Sequence, residues 1–286
     1  MHRFLLLLLL LVPVQGLAFE QTIETNHLVV VAASGGQLSE EQFRQLAARA
    51  EELTEQLLAF WSAESRIEQL GKIRVKFEPP NSVYYGAQAF WEQGGKNRTV
   101  IVFGTRRGPQ ELAHKLTHAI FPSSDKLVRN MMGIPSEARF GTMDSFPMCG
   151  LDMDDWVLAL RDAGAYRPLS ELTPDNEAWG QTMGRYGLLI VTNERRQHIS
   201  YAEAGSFGAY LLRTYGIPRV KRFYRVTNDS RRRPWAEVFG HPLDELEKDW
   251  MAQLESARAD RSSGIAAAFR LQGMRGGAMC PPRTGD

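Results

Sequence analysis

The spacing of apolar and polar positions changes about a third of the way along the chain. Residues 25–33, TNHLVVVAA, form an apolar, β-branched run that ends at Ser34-Gly35-Gly36, which predicts a strand and then a turn. A helix follows. Ser39 and Gln42 have capping-box spacing, and Phe43, Leu46, Ala50, Leu53, Leu57 and Phe60 recur at helical intervals. KIRVKFEPP, at 72–80, alternates charged with apolar residues, as a half-buried strand does. GAQAFW (86–91) and TVIVFG (99–104) flank GGKN (94–97) and predict a hairpin.

After Gly104 helical spacing dominates, at 109–121, 124–132, 135–141, 154–163, 180–195, 200–215, 217–226 and 243–257. Pro109 suits a first turn, Pro122 stops the helix it follows, and Pro135 would start a short helix with Glu137 in its first turn. From about Arg261 the periodicity fades, so 261–286 is expected to be a loosely ordered tail. The expected fold class is α+β. A small N-terminal sheet lobe with one long helix (about 25–107) leads through the 109–121 helix into a mainly helical lobe (122–260).

Composition narrows the setting. MHRFLLLLLLLVPVQGLAFE pairs a short basic start with an apolar run and small residues at Gly16 and Ala18. It reads as a secretory signal peptide over 1–18, cut before Phe19, which places the chain outside the cytoplasm, secreted or periplasmic. The run is short for a bilayer span, so no stable membrane insertion is expected after cleavage. The 34 basic residues nearly match the 33 acidic ones, which gives no case for nucleic acid. RRR at 231–233 reads as a solvated loop or helix end. Cys149 and Cys280 are free to pair in an oxidising compartment, and spacing alone leaves that open.

The candidate chemistry lies in ELAHKLTHAI, 111–120. His114 and His118 are four apart, so a helix presents both imidazoles on one face. Taken alone, such a pair is more often packed or exposed than metal-bound. A zinc centre usually needs a third protein ligand, and Glu137 follows His118 after an eighteen-residue spacer.

These segments resemble the gluzincin metallopeptidases, in the peptidase-MA-like branch related to thermolysin. Their pattern is HExxH, a spacer that is often eighteen residues, then Glu; this chain has HKLTH, eighteen residues, then Glu137. IPSEARF (134–140) is similar to the family's P-x-W-L-x-E-G-x-A segment, with Ala138 for the glycine and no tryptophan. YAEAGSFGAYLLRTYG (201–216) resembles its Y-x-x-A-x-S-F helix, and HPLDELEKDWMAQL (241–254) its closing helix. The resemblance implies a zincin-like fold. A hairpin strand would flank the cleft, His114, His118 and Glu137 would bind Zn2+, and Tyr201 would face the cleft as an oxyanion-stabilising hydroxyl.

Lys115 occupies the position of the family's general-base glutamate. A lysine must be neutral to act as a base, and its reference pKa is ~10.4. Its long stem makes a swing out to solvent the easiest response to a nearby cation. Glu111 would approach from the wrong end of the motif, and Glu137 is a candidate partner for Lys115. Two functions follow. One is a degenerate gluzincin, impaired or inactive, that holds a peptide or protein in the inherited cleft with zinc retained or lost. The other is an active zinc peptidase with a different base.

Other motifs carry less. AGSFG (204–208) lacks the first glycine of a nucleophile elbow and sits in a helical pattern, so close helix packing explains it better. The acids of GLDMDDW (150–156) fit helix capping. NRT (97–99) and NDS (228–230) match glycosylation acceptors. His27, His198 and His241 stand apart from the motif and are not expected to be ligands.

Overall fold

The computed structural model describes residues 21–33, 38–79, 86–104, 111–184 and 187–273. Residues 1–18, expected to be a signal peptide, and Pro109 and Cys280 lie outside them. The described chain is mixed α+β, with a small sheet toward the N-terminus and a mainly helical remainder.

The five-stranded sheet has the order β1-β2-β3-β5-β4, with β1 Gln21–Glu24, β2 Leu28–Ala32, β3 Ile73–Glu78, β4 Gly86–Phe90 and β5 Thr99–Phe103. β2, β3 and β5 are parallel, and the edge strands β1 and β4 are antiparallel to their neighbours. Alternation decides which face is buried. Val30, Val75 and Val100 are in register, as are Ala32, Phe77 and Val102, and all six are buried while Arg74 points to solvent. Helix α1, Glu40–Trp61, starts at the Ser39–Gln42 capping box in full and buries Phe43, Ala50, Leu53 and Leu57. A short α2, Ser65–Leu70, returns the chain to β3.

Helix α3, Leu112–Ile120, is buried at every position and packs on α1, β4, β5 and α4. Helix α4, Lys126–Phe140, is one continuous helix where two were expected on either side of Pro135. A proline inside a helix removes a hydrogen bond and costs ~3 kcal/mol or more. The carbonyl it strands is that of Met131, and α6 closes on it: a Cβ on Gly208 would lie 2.1 Å from Met131 O. Packing between α3 and α6 holds α4 together through its proline.

Helix α5, Met153–Asp162, is capped by Asp152, as the acidic segment predicts. The 180–195 stretch forms a hairpin, β6 Gln181–Met183 and β7 Leu189–Val191, where a helix was expected. Gly180, Gly184 and Gly187 break helical continuity there, and Gly180 and Gly187 have positive φ. Helix α6 spans Glu194–Ser230, with its N-cap at Asn193 and a break at Gly216 (φ 78°), where the two predicted helices meet. α7 (Trp235–Phe239) and α8 (Leu243–Ser256) follow. The expected loose tail begins instead with α9, Ser262–Gly273, packed on α5. Arg261 pins its start through Asp154 and Asp155, both at 3.0 Å. Arg233, from the triplet expected to be solvated, is half-buried and pairs with Asp125 at 2.7 Å. Cys149 is disulfide-bonded. No helix among the described residues is long and apolar enough to cross a membrane.

Candidate functional site: a cationic cleft beside a buried histidine pair

One stripe of α4 faces α3. Lys126, Asn130, Gly133 and Glu137 are spaced four, three and four apart, which sets them along a single helix face. Gly133 makes room for both histidines, since a Cβ there would meet His114 Cδ2 at 2.2 Å and His118 Nε2 at 2.8 Å. The two rings lie edge to face, 4.4 Å between centroids at 88°. His114 Nε2 is 3.0 Å from Asn130 Oδ1, so with that oxygen accepting, the ring carries its proton on Nε2. His114 Nδ1, His118 Nε2 and Asn130 Nδ2 are buried without a hydrogen-bond partner among the described residues.

Both imidazoles are held well below the usual histidine range, chiefly by burial. Lys115 adds repulsion to His114, and His118 feels His114 and then Lys115. Glu137 is fully buried, and its carboxylate is committed elsewhere. Oε2 accepts the His114 backbone N–H at 3.0 Å, and Oε1 accepts the Thr142 N–H and the Ser145 hydroxyl, both at 3.2 Å. Burial raises its pKa, against those hydrogen bonds. Gly141 leaves space for this pose, because a Cβ there would lie 2.2 Å from Glu137 Oε1.

The zinc that the resemblance implies does not fit these donors as they stand. The His114 nitrogen nearest α4 donates to an amide oxygen, the carboxylate is bound by three donors, and a lysine lies beside the pair. Among the described residues, the one group of three or more His, Cys, Asp or Glu whose ligand atoms all lie within 4.8 Å is His27, Glu51 and Glu55. His27 is therefore not isolated, although its Nδ1 is already 2.7 Å from Glu51 Oε1. His198 bonds Pro147 O, and His241 bonds Glu245.

In front of the histidines lies a cleft of about 400 Å³, walled by β4, α3, α4, the β6–β7 hairpin and α6. Lys115 points into it. It is only 6 % exposed, and its Nζ is 3.2 Å from Glu111 Oε2. The swing to solvent does not occur, and its partner is Glu111 rather than Glu137. Glu111 sits one turn before Lys115, at the helix start, where its backbone is left-handed (φ 58°), a strained state for a non-glycine residue. The same carboxylate approaches the Ala87 N–H at 3.5 Å, which links edge strand to helix. Tyr201 faces the cleft as expected, with its ring centroid 5.8 Å from Lys115 Nζ. Its hydroxyl accepts a hydrogen bond from Gln181 Nε2 at 3.2 Å.

Two further cations in the wall, Lys126 and Arg129, went unread in the sequence. Lys126 is buried and donates to Gln181 Oε1 at 2.7 Å. Burial, with repulsion from Arg129 and Lys115, lowers its pKa to about 7. Arg129 lies 5.8 Å from the Trp91 ring centroid. The available signal was the three-residue spacing of Lys126 and Arg129 in DKLVRN, which puts both on the side of α4 that carries Gly133. The hairpin roofs the cleft through Gln88, whose side-chain amide donates to Leu189 O (3.1 Å) and accepts from Leu189 N (3.0 Å).

No protein-family model matches the chain, and no curated protein matches its sequence.

Proposed function

We propose that this protein is a gluzincin-like chain, zincin-like in fold, whose cleft binds a peptide or protein ligand and no longer hydrolyses it. Supporting the ancestry, the antiparallel edge strand β4 lies beside the cleft, HKLTH follows the sheet on α3, and Glu137 comes from the next helix packed on α3. The observation that carries the loss of catalysis is the Lys115–Glu111 ion pair inside the cleft. The family's base is a carboxylate, and the side chain at that position is here a lysine bound to Glu111 at 3.2 Å, which directs its Nζ away from a substrate water. Losing an acid–base group removes about 10²–10⁴ in rate. Glu137 cannot serve in its place while three donors hold it.

The rival reading, an active zinc peptidase with another base, has one specific support: Glu111 is a carboxylate in the cleft wall. Lys115 neutralises it. A quenched-fluorescence peptide library, assayed with added zinc and with a chelator, separates the two readings. The expected result is no chelator-sensitive cleavage above a protein-free blank, with peptides nonetheless retained by the immobilised chain. Chelator-sensitive cleavage that disappears in His114→Ala would overturn the proposal.

A further inference from the structure

Lys115, Lys126 and Arg129 come from two helices and converge on one cleft, where Glu111 is the one acidic side chain among the described lining residues. We propose that this wall is a carboxylate-binding site, seating the negative end of a small peptide-like ligand against Lys126 and Arg129. This rests on the ligand-binding reading above and adds the chemistry of the ligand.

The charge balance argues for one negative charge. Glu111 already neutralises Lys115 at 3.2 Å. Asp125, the acid nearest in sequence to the other two cations, is held by Arg233 at 2.7 Å and caps α4 through Leu127 N and Val128 N. Asp125 still favours the Arg129 charge at longer range, but Arg129 forms no ion pair among the described residues and donates only to Ser123 O at 3.3 Å, and Lys126 contacts only the neutral Gln181 amide. Two like charges forced together in a buried wall repel, and a bound anion relieves that repulsion. The apolar surface beside the two cations favours a carboxylate carried on an apolar body over free phosphate.

The surroundings suit a carboxylate attached to an apolar body. Phe90, Trp91 and Phe146 supply apolar surface, and Gln181 and Asn176 supply neutral hydrogen-bonding groups beside the cations. Lys126 is also preorganised. Its Nζ is held by Gln181, which is in turn bonded to Tyr201, so little side-chain entropy remains to be lost on binding. Neither Lys126 nor Arg129 belongs to the HKLTH motif or to its glutamate, so their convergence is not a by-product of that motif.

Calorimetric titration of the full mature chain tests the assignment with four probes. Acetyl-Ala-Phe carries a C-terminal carboxylate, its C-terminal amide removes that charge, acetyl-Ala-Asp-amide moves it to a side chain, and inorganic phosphate lacks the body. The expected result is that at least one carboxylate dipeptide binds about tenfold or more tighter than the neutral amide. Arg129→Gln and Lys126→Met should each weaken it about tenfold, while Arg129→Lys keeps most of the affinity. Which dipeptide binds better tells a terminal from a side-chain carboxylate. Equal binding of amide and carboxylate would sink the inference and leave the cleft-binding reading standing. Binding of phosphate alone would also sink it. Should either variant fail to fold, the amide–carboxylate comparison on the wild-type chain decides alone. Failure of every probe overturns this inference, and the library retention experiment then decides whether the cleft-binding reading falls with it.

Discussion

Lys126 shows how a single residue can carry the cost of a site. It is buried, 2.7 Å from a neutral amide oxygen, and repelled by Arg129 and Lys115, so its pKa falls from 10.5 to about 7. The unfolded chain keeps that proton up to about pH 10, so between about pH 7 and pH 10 it binds more protons than the folded chain. Stability attributable to this residue therefore rises with pH across that window. Lys126→Met should flatten the rise, and it should stabilise the protein at about pH 7 by roughly 1–3 kcal/mol. Urea unfolding of both proteins at about pH 7 and pH 9.5 checks this, and an unchanged slope would contradict it. The candidate site was half legible at this scale. Spacing located His114, His118 and Glu137 on facing helices, because periodicity reports faces. It did not report that Asn130 would occupy the His114 nitrogen, or that Ser145 and Thr142 would hold the carboxylate. Those partners lie on other turns and loops, whose approach is set by tertiary packing.

At the scale of elements, glycine explains both a helix that should have broken and a helix that never formed. Pro135 predicted a boundary in α4, yet Gly208 lets α6 press against the Met131 carbonyl that the proline leaves without its helical donor, and burial on both sides keeps the helix whole. Gly208→Ala would drive a methyl group into backbone that cannot rotate away. It should cost about 3 kcal/mol or more, measured as a shift of the urea midpoint at unchanged slope. A cost under about 1 kcal/mol would show that α4 does not depend on this contact. The packing role of AGSFG was readable from its small residues. The β6–β7 hairpin was not, since LLIV fits either period and single glycines are tolerated within helical patterns. The consequence is functional, because that hairpin forms the roof of the cleft.

At the scale of the molecule, alternation in β3, the hairpin pattern of β4 and β5 and the capping box of α1 made the N-terminal lobe legible from residue spacing alone. The order of sheet and helices followed from where the hydrophobic period changes. The docking of α9 was hidden for a physical reason. SSGIAAAFRLQG is held by Arg261 against Asp154 and Asp155, by the close approach that Gly264 permits, and by a narrow apolar edge of Ile265, Ala268 and Leu271. On the proposed reading, the positions that match the HExxH-and-glutamate pattern carry an ion pair, an amide–imidazole contact and a fully hydrogen-bonded carboxylate beside a cleft of mixed lining. The most direct test of that account is the zinc content of the purified protein after incubation with zinc at neutral pH and dialysis, beside His114→Ala. The account predicts far less than one zinc per chain at this site, and therefore no difference between the two proteins. Close to one zinc in the wild type, lost in His114→Ala, would contradict it.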